Sequence, residues 1–454
     1  MIELSPQRIA GEAEAEVIRE GAVARANRAV TDSREAGPGD LFFGLRGERA
    51  DGGAYAAAVL EEGAWGVVVG AEHASGELPG DGWVLSSRDP QRSLQLLARA
   101  WRRELGCPTV GITGSTGKTS VKDIAHALLP LRVHASQENF NTEVGLPLAV
   151  LAAPPETEVL VLEMAMRGLG QIAELCEIAE PDVGAITNIG PVHLELLGTL
   201  EAIAEAKAEI LTGLGPDGKA VVPADTDALT PHLEDELETI TFGPGGEVTA
   251  HEPRTDAGRT EARITSPAGE AAFSFPFTEE HNLTNALCAV AIGVALGCEP
   301  ASMARRAPGI EFSRLRGELI RLAGDIAVVN DSYNANPVSM RAALDHLAGG
   351  LGGAVTPEAR RVAVLGDMKE LGPDAASYHR EIGAHARSVG VDPIIGVGEL
   401  ARDYAPDKWA SDAEEAVALV DRVLVPGDAL LVKGSRSVGL ERVTEALVAR
   451  RGPG

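Results

Sequence analysis

The residues best suited to chemistry are Lys118, Thr119 and the glycines ahead of them in GITGSTGKTS (Gly111 to Ser120). Glycines let backbone amides converge on an anion, and a helix start adds partial positive charge. A lysine then neutralises β/γ-phosphate oxygens and a hydroxyl can hold Mg²⁺. Here Gly114, Ser115, Thr116 and Gly117 would form the cradle, and Lys118, Thr119 and Ser120 would open the helix. The spacing departs slightly from the commonest phosphate loop, with Ile at 112 and glycines at 111, 114 and 117. Cys107-Pro108-Thr109-Val110 precedes the run and an amphipathic stretch follows it, which predicts strand, tight loop and helix. The expected ligand is ATP or GTP.

Further along, Val159 to Leu162 reads as a buried strand with Glu163 at its C-terminal end. In parallel α/β sheets that end faces the ligand crevice. A carboxylate there either holds Mg²⁺ on the nucleotide or stands in solvent. A second strand, Val183 to Asn188, leads through IGPVHLELLG to His193. Such a histidine often caps or packs, and magnesium prefers oxygen ligands. What ties it to a metal is Lys207, fourteen residues on.

Lys207 lies in the helical stretch Thr199 to Leu214, on an apolar stripe of Leu200, Ile203, Ala204, Ile210, Leu211 and Leu214. A lysine there either snorkels or must be neutralised, because burial penalises its charged form. A neutral amine can take up CO₂ as a carbamate, which would turn Lys207 into a carboxylate able to ligate a second Mg²⁺. The lysines are only Lys118, Lys122, Lys207, Lys219, Lys369, Lys408 and Lys433, and arginine supplies nearly all other positive charge. A retained lysine can therefore mark a place that needs an ammonium or an amine, and Lys118 and Lys207 fit that reading.

These residues need a frame. At 454 residues and 44% hydrophobic, the chain is long enough for about three domains of ~150 residues. A net charge of −27 disfavours nucleic acid or an anionic membrane as partner. Cys107, Cys176, Cys288 and Cys298 show no CxxC spacing, so neither a zinc site nor a disulfide framework is indicated. MIELSPQRIAGEAEAE lacks a basic n-region and apolar h-region, and no apolar run reaches about 18 residues. The expectation is a cytoplasmic protein without membrane insertion. Its fold class is α/β with three domains. Residues 1–104 form a small α/β domain with signals GDLFFGLRG, YAAAVLEEGAWGVVVG and GWVLSS. Residues 105–312 form a phosphate-loop domain on a parallel sheet, with Gly243 to Gly269 as an excursion or small β element. Residues 313–454 form a Rossmann-like domain with strands Ile326 to Asn330, Val362 to Leu365, Pro393 to Val397 and Ala429 to Val432. Gly349 to Ala359 reads as a surface loop.

Taken in order, TGSTGKTS, Glu163, ITNIGPVHLELLG, Lys207, HNLTNALCAV (His281 to Val290) and NDSYNANP (Asn330 to Pro337) resemble the Mur ligases of peptidoglycan synthesis over nearly the whole chain. Four further runs are most similar to the branch that joins D-alanyl-D-alanine to a UDP-linked muramyl tripeptide. They are TDSREAGPGDLFFGLRGERADG (Thr31 to Gly52), ENFNTEVGLPL (Glu138 to Leu148), NDSYNANPVSMRAAL (Asn330 to Leu344) and LGDMKELG (Leu365 to Gly372). The resemblance implies ATP and Mg²⁺ as cofactors and a monomer that carries out ATP-dependent amide-bond formation through an acyl phosphate.

It also implies roles. Lys118 and Thr119 would bind the phosphates and Mg²⁺, with Glu163, His193 and a carbamylated Lys207 as metal ligands. Asn285 would contact adenine, and Arg316 and Asp331 would reach the phosphates and ribose once the C-terminal domain closes. Ser33 and Arg34 would hold the UDP part, and Asn141, Asn334 and Asn336 would lie on the substrate side. Lys433 would meet substrate charge or stand exposed at its strand end. Two positions depart from the family pattern: DGGAY (Asp51 to Tyr55) replaces a DGHxF-type segment, and EMAM carries Ala165 where Gly is usual. The rivals are a diaminopimelate- or lysine-adding ligase, folylpolyglutamate synthase, and a phosphate-loop switch or motor. A DNPR-type motif, expected for diaminopimelate addition, does not occur.

Overall fold

A computed structural model describes residues 3–23, 25–47, 50–137, 140–192, 194–256 and 258–452. Three α/β sheets follow one another along the chain. The first runs Glu16–Arg19, Trp83–Ser86, Gly66–Val69, Leu41–Phe43, Ala29–Val30, with only the first pair antiparallel. The central sheet is parallel throughout, ordered Glu238–Phe242, Lys219–Pro223, Val183–Ile186, Thr109–Thr113, Val159–Glu163, Val133–Ala135. The third places Glu318–Leu322 antiparallel on Ile326–Asp331, followed by parallel Ala429–Lys433, Arg361–Gly366, Ile394–Val397 and Lys408–Ala410. Continuous apolar runs such as VLVL and ALLV form the inner strands because helices cover both faces of these sheets.

The acidic, glycine-rich excursion is an antiparallel meander, Thr249–Asp256, Arg259–Ser266 and Gly269–Phe275. Alternation in the middle strand buries Thr260, Ala262 and Ile264 and exposes Arg259, Glu261 and Arg263, as a one-sided sheet requires. In the segment from Gly349, a short 3₁₀ turn over Leu351–Gly353 buries Leu351.

Helix Pro90–Leu105 begins with Asp89 capping Gln91 and Arg92 and ends at Gly106 in the left-handed region. Its buried Leu94, Leu97, Ala98 and Trp101 share one core with Leu41, Phe43 and Leu85 of the first sheet and Leu160 and Leu162 of the central one. Trp101 donates its indole N–H to Ala153 O at 3.1 Å, and Arg102 reaches Asp182 at 2.7 Å. The C-terminal sheet instead lies between two apolar clusters of its own. Among the described residues no helix is long and apolar enough to cross a membrane.

Candidate active site

Thr109–Thr113 lies at the centre of the parallel sheet, and the chain turns directly from it into the loop 114–117 and helix Lys118–Leu128. Gly117 is the N-cap residue at φ +80°, and no side chain among the described residues caps that helix. Its first-turn amides therefore remain available to an anion, with the helix dipole behind them. A Cβ on Gly117 would lie 2.4 Å from Asn285 Oδ1, and one on Gly114 (φ +149°) 1.9 Å from Thr187 Oγ1. Both glycines are required by close approach as well as by backbone conformation.

Behind the loop stands the end of strand Val183–Ile186. Asn188 accepts from the Thr116 amide at 2.9 Å through its side chain, and from the Ser115 amide at 3.1 Å through its carbonyl. Ser115 Oγ donates to Gly190 O at 3.0 Å and accepts from Gly190 N at 2.8 Å. Thr187 and Asn188 thus fix the cradle from behind. Sequence reading placed them on a strand without a role; the signal was the side-chain amide and hydroxyl of ITN at a strand's C-terminal end. Gly114→Ala should weaken ADP binding about ten- to hundredfold by titration calorimetry, since forced backbone strain costs about 1–3 kcal/mol. Unchanged affinity in the folded variant would take the loop out of the site.

Lys118 donates to Gly114 O at 2.8 Å, folded onto the loop it serves. Burial pushes its ammonium below the usual lysine value; Glu163 opposes the shift and the Arg316 charge adds to it. Thr119 Oγ1 donates to Glu163 Oε2 at 2.7 Å, and Asn141 Nδ2 donates to Oε1 at 2.8 Å. Glu163 is 3% exposed, so it is not the carboxylate in open solvent that was the alternative to a metal-holding one. A buried carboxylate whose hydrogen-bond partners among the described residues are all neutral, next to a hydroxyl, is a hard oxygen donor set that suits Mg²⁺. Asn141, expected on the substrate side, lines the cleft and also orients this carboxylate.

Helix Leu200–Thr212 starts with Thr199 accepting from the Ala202 amide at 3.2 Å. It buries Ile203, Ala204, Ile210 and Leu211 as the stripe predicts, but Leu200 is 44% exposed because the first turn projects beyond the core. Leu214 lies past the helix end. Lys207 is 2% exposed, which excludes snorkelling. Among the described residues no hydrogen-bond acceptor or carboxylate meets its amine within bonding distance. Burial, and next the charge of Lys118, push its ammonium well below the usual value. Both effects favour the neutral amine over the ammonium. His193 lies outside the described residues.

A cavity of about 880 Å³ joins this machinery to the C-terminal unit. On one wall are residues 115–120, Glu163, Asn188 and Asn285; on the other are Arg316, Asp331, Tyr333, Asn334, Asn336 and Lys433. That volume suits a nucleotide-sized ligand. Arg316 stacks on Tyr333, its guanidinium carbon 4.1 Å from the ring centroid. Lys433, buried, donates to Asp331 Oδ2 at 2.6 Å and Asn334 O at 2.9 Å. Of the two alternatives for Lys433, the exposed strand-end lysine is excluded: it forms an internal ion pair that holds the NDSYNANP turn in shape. Asn336 accepts from the Ser339 amide at 2.9 Å as N-cap of helix Pro337–Ala348, and Ser339 Oγ completes a capping box. Its oxygen is thus a structural cap. Ser33 and Arg34 are not among the residues lining the cavity; Arg34, mostly exposed, pairs with Asp32 at 2.5 Å in the first unit. Lys207 is likewise not among the residues lining the cavity.

The chain carries the Mur ligase middle domain over residues 112–293 and the Mur ligase, glutamate ligase domain over residues 315–436. It is 34% identical to the UDP-N-acetylmuramoyl-tripeptide–D-alanyl-D-alanine ligase of Bacillus subtilis, covering 92% of each chain. In structure it is similar to MurF from Acinetobacter baumannii, with TM-score 0.87 at 27% identity over 98% of this chain and 99% of that one. It is also similar to MurF ligase from Thermotoga maritima in complex with ADP, with TM-score 0.80 at 29% identity over 93% and 97% of the two chains. A phosphate loop opposite a buried carboxylate, facing a Rossmann-like wall across one cleft, agrees with both matched domains, and the chain belongs to the Mur ligase family.

Proposed function

We propose that this chain joins D-alanyl-D-alanine to a UDP-N-acetylmuramoyl-tripeptide at the expense of ATP, in the cytoplasmic assembly of peptidoglycan precursors. The observation that carries this reading is the single cleft that brings Lys118, Thr119 and Glu163 opposite Arg316, Asn334 and Asn336. Full-length similarity to ligases named for this reaction supports the choice of acceptor.

The chemistry follows from charge. A carboxylate is a poor electrophile, so the terminal phosphoryl of ATP is transferred to the tripeptide carboxylate, leaving ADP and an acyl phosphate. The dipeptide amine attacks the carbonyl carbon, the C–O bond to phosphate breaks, and the nitrogen loses its proton as the amide forms. Lys118 and the uncapped amides of helix Lys118–Leu128 stabilise the charge that gathers on the transferred group. Thr119 and Glu163 would hold Mg²⁺, which supplies further charge neutralisation at phosphate oxygens. Lys207, as a carbamate formed from its neutral amine and CO₂ with release of a proton, would add an oxygen ligand for a second ion. Arg316 approaches from the C-terminal unit, and the two walls of the cleft exclude water from the acyl phosphate.

Phosphate release is expected only when ATP, the UDP-linked tripeptide and D-alanyl-D-alanine are all present. Release at full rate with ATP alone in a coupled assay would overturn the ligase reading and favour a switch or motor.

A further inference from the structure

The helix that carries Lys118 and Thr119 makes a second contact five residues on that none of these roles uses. Asp123 is nearly buried, with 10% of its side chain exposed. Its Oδ1 lies 3.2 Å from Lys122 Nζ, and its Oδ2 accepts the backbone amide of Ser313 at 2.8 Å. Ser313 belongs to the segment that leaves the central unit for the C-terminal sheet, and Arg316 is three residues further. The chain around Arg316 is tightly constrained. Leu315 (φ +66°) and Gly317 (φ +69°) flank it in the left-handed region, and Leu315 O accepts the Tyr333 amide at 3.3 Å. A non-glycine residue holds such a conformation only where its surroundings over-determine it. The guanidinium that results stacks on Tyr333 and acts electrostatically on Lys118.

Asp123 is tied into the other wall as well. Lys122 donates to Ser136 O at 2.9 Å, and Ser136 Oγ accepts the Glu163 amide at 3.1 Å. One carboxylate thus connects the Glu163 strand to the base of the arm that bears Arg316.

We infer that Asp123 is a positioning residue for Arg316: by gripping the Ser313 amide it fixes where the guanidinium enters the nucleotide cleft. The inference rests on the nucleotide-dependent reading of that cleft. Loss of the grip leaves the phosphate loop intact and lets the arm swing, and a displacement of about 1 Å at a reacting centre costs on the order of a hundredfold in rate.

A double-mutant cycle tests it, read by kcat and, separately, by ADP affinity. Asp123→Ala should lower kcat roughly ten- to hundredfold, while Asp123→Asn, which keeps an acceptor oxygen, should stay within about twofold. In an Arg316→Ala background, Asp123→Ala should add little further loss, because its effect passes through the missing guanidinium. Ser313→Pro removes the amide from the linker side and should reproduce the loss, which covers the case of an Asp123→Ala chain that does not fold. Wild-type kcat and ADP affinity in Asp123→Ala, or a loss of equal size with and without Arg316, would overturn the inference. Should the wild-type chain release no phosphate with both co-substrates, the ligase reading fails, whereas coupling between positions 123 and 316 is still read from ADP affinity.

Discussion

Lys118→Ala is expected to lower phosphate-coupled turnover by roughly 10²–10³ or more, since it removes a fixed positive charge from a transition state dense in negative charge. The fold should survive. Among the described residues the Lys118 ammonium makes one hydrogen bond, to Gly114 O, and its desolvation is unfavourable to the folded chain, so alanine there relieves a cost. Steady-state phosphate release with circular dichroism as the control for folding measures this. An unchanged rate in a folded variant would remove Lys118 from the site and leave the uncapped helix start as the whole phosphate clamp.

Lys207→Ala is expected to abolish activity to a comparable degree, and added formate or acetate should restore part of it. The reason is burial without a hydrogen-bond partner among the described residues: for an amine 2% exposed, burial and the charge of Lys118 disfavour the ammonium, and a metal-bound carbamate would satisfy it. Lys207→Arg should stay inactive, because a guanidinium takes up no CO₂ and would remain charged beside Lys118. A carbonyl resonance from ¹³C-labelled bicarbonate in the wild type, absent in Lys207→Ala, would report the carbamate directly. Wild-type activity in Lys207→Arg would show that positive charge was all the position needed, and the carbamate would have to be abandoned.

What could be read from the chain alone was local. The phosphate loop announces itself within ten residues, because glycine freedom, lysine charge and a helix start must be adjacent in sequence to work. Glu163 was legible from an apolar strand followed by a carboxylate, and Lys207 from helical spacing; both proved buried. The same spacing misassigned Leu200, since a stripe cannot tell which turn of a helix extends beyond the core. The pairing of Asp331 with Lys433 joins positions 102 residues apart, and that of Asp123 with Ser313 spans 190. Such contacts depend on which strands become neighbours, here Ile326–Asp331 beside Ala429–Lys433, and no local pattern encodes that. Asn336 is an intermediate case. Asn-Pro-x-Ser at a helix start is a readable capping signature, but the resemblance drew attention to substrate instead.

The core that helix Pro90–Leu105 shares between the first two sheets also bears on how such a chain could be rebuilt in evolution. A unit that buries its apolar face against its neighbour is not a detachable cassette, because exchanging it exposes both halves of one interior. New preferences at the first sheet must therefore arise by substitution at its surface, in place. The C-terminal unit encloses its own apolar clusters and meets the central one through scattered polar contacts such as Arg167 with Glu370 and His346 with Glu279. It is the portion that recombination could exchange more readily, provided the replacement again brings an arginine and an aspartate to the places of Arg316 and Asp331 in the nucleotide cleft.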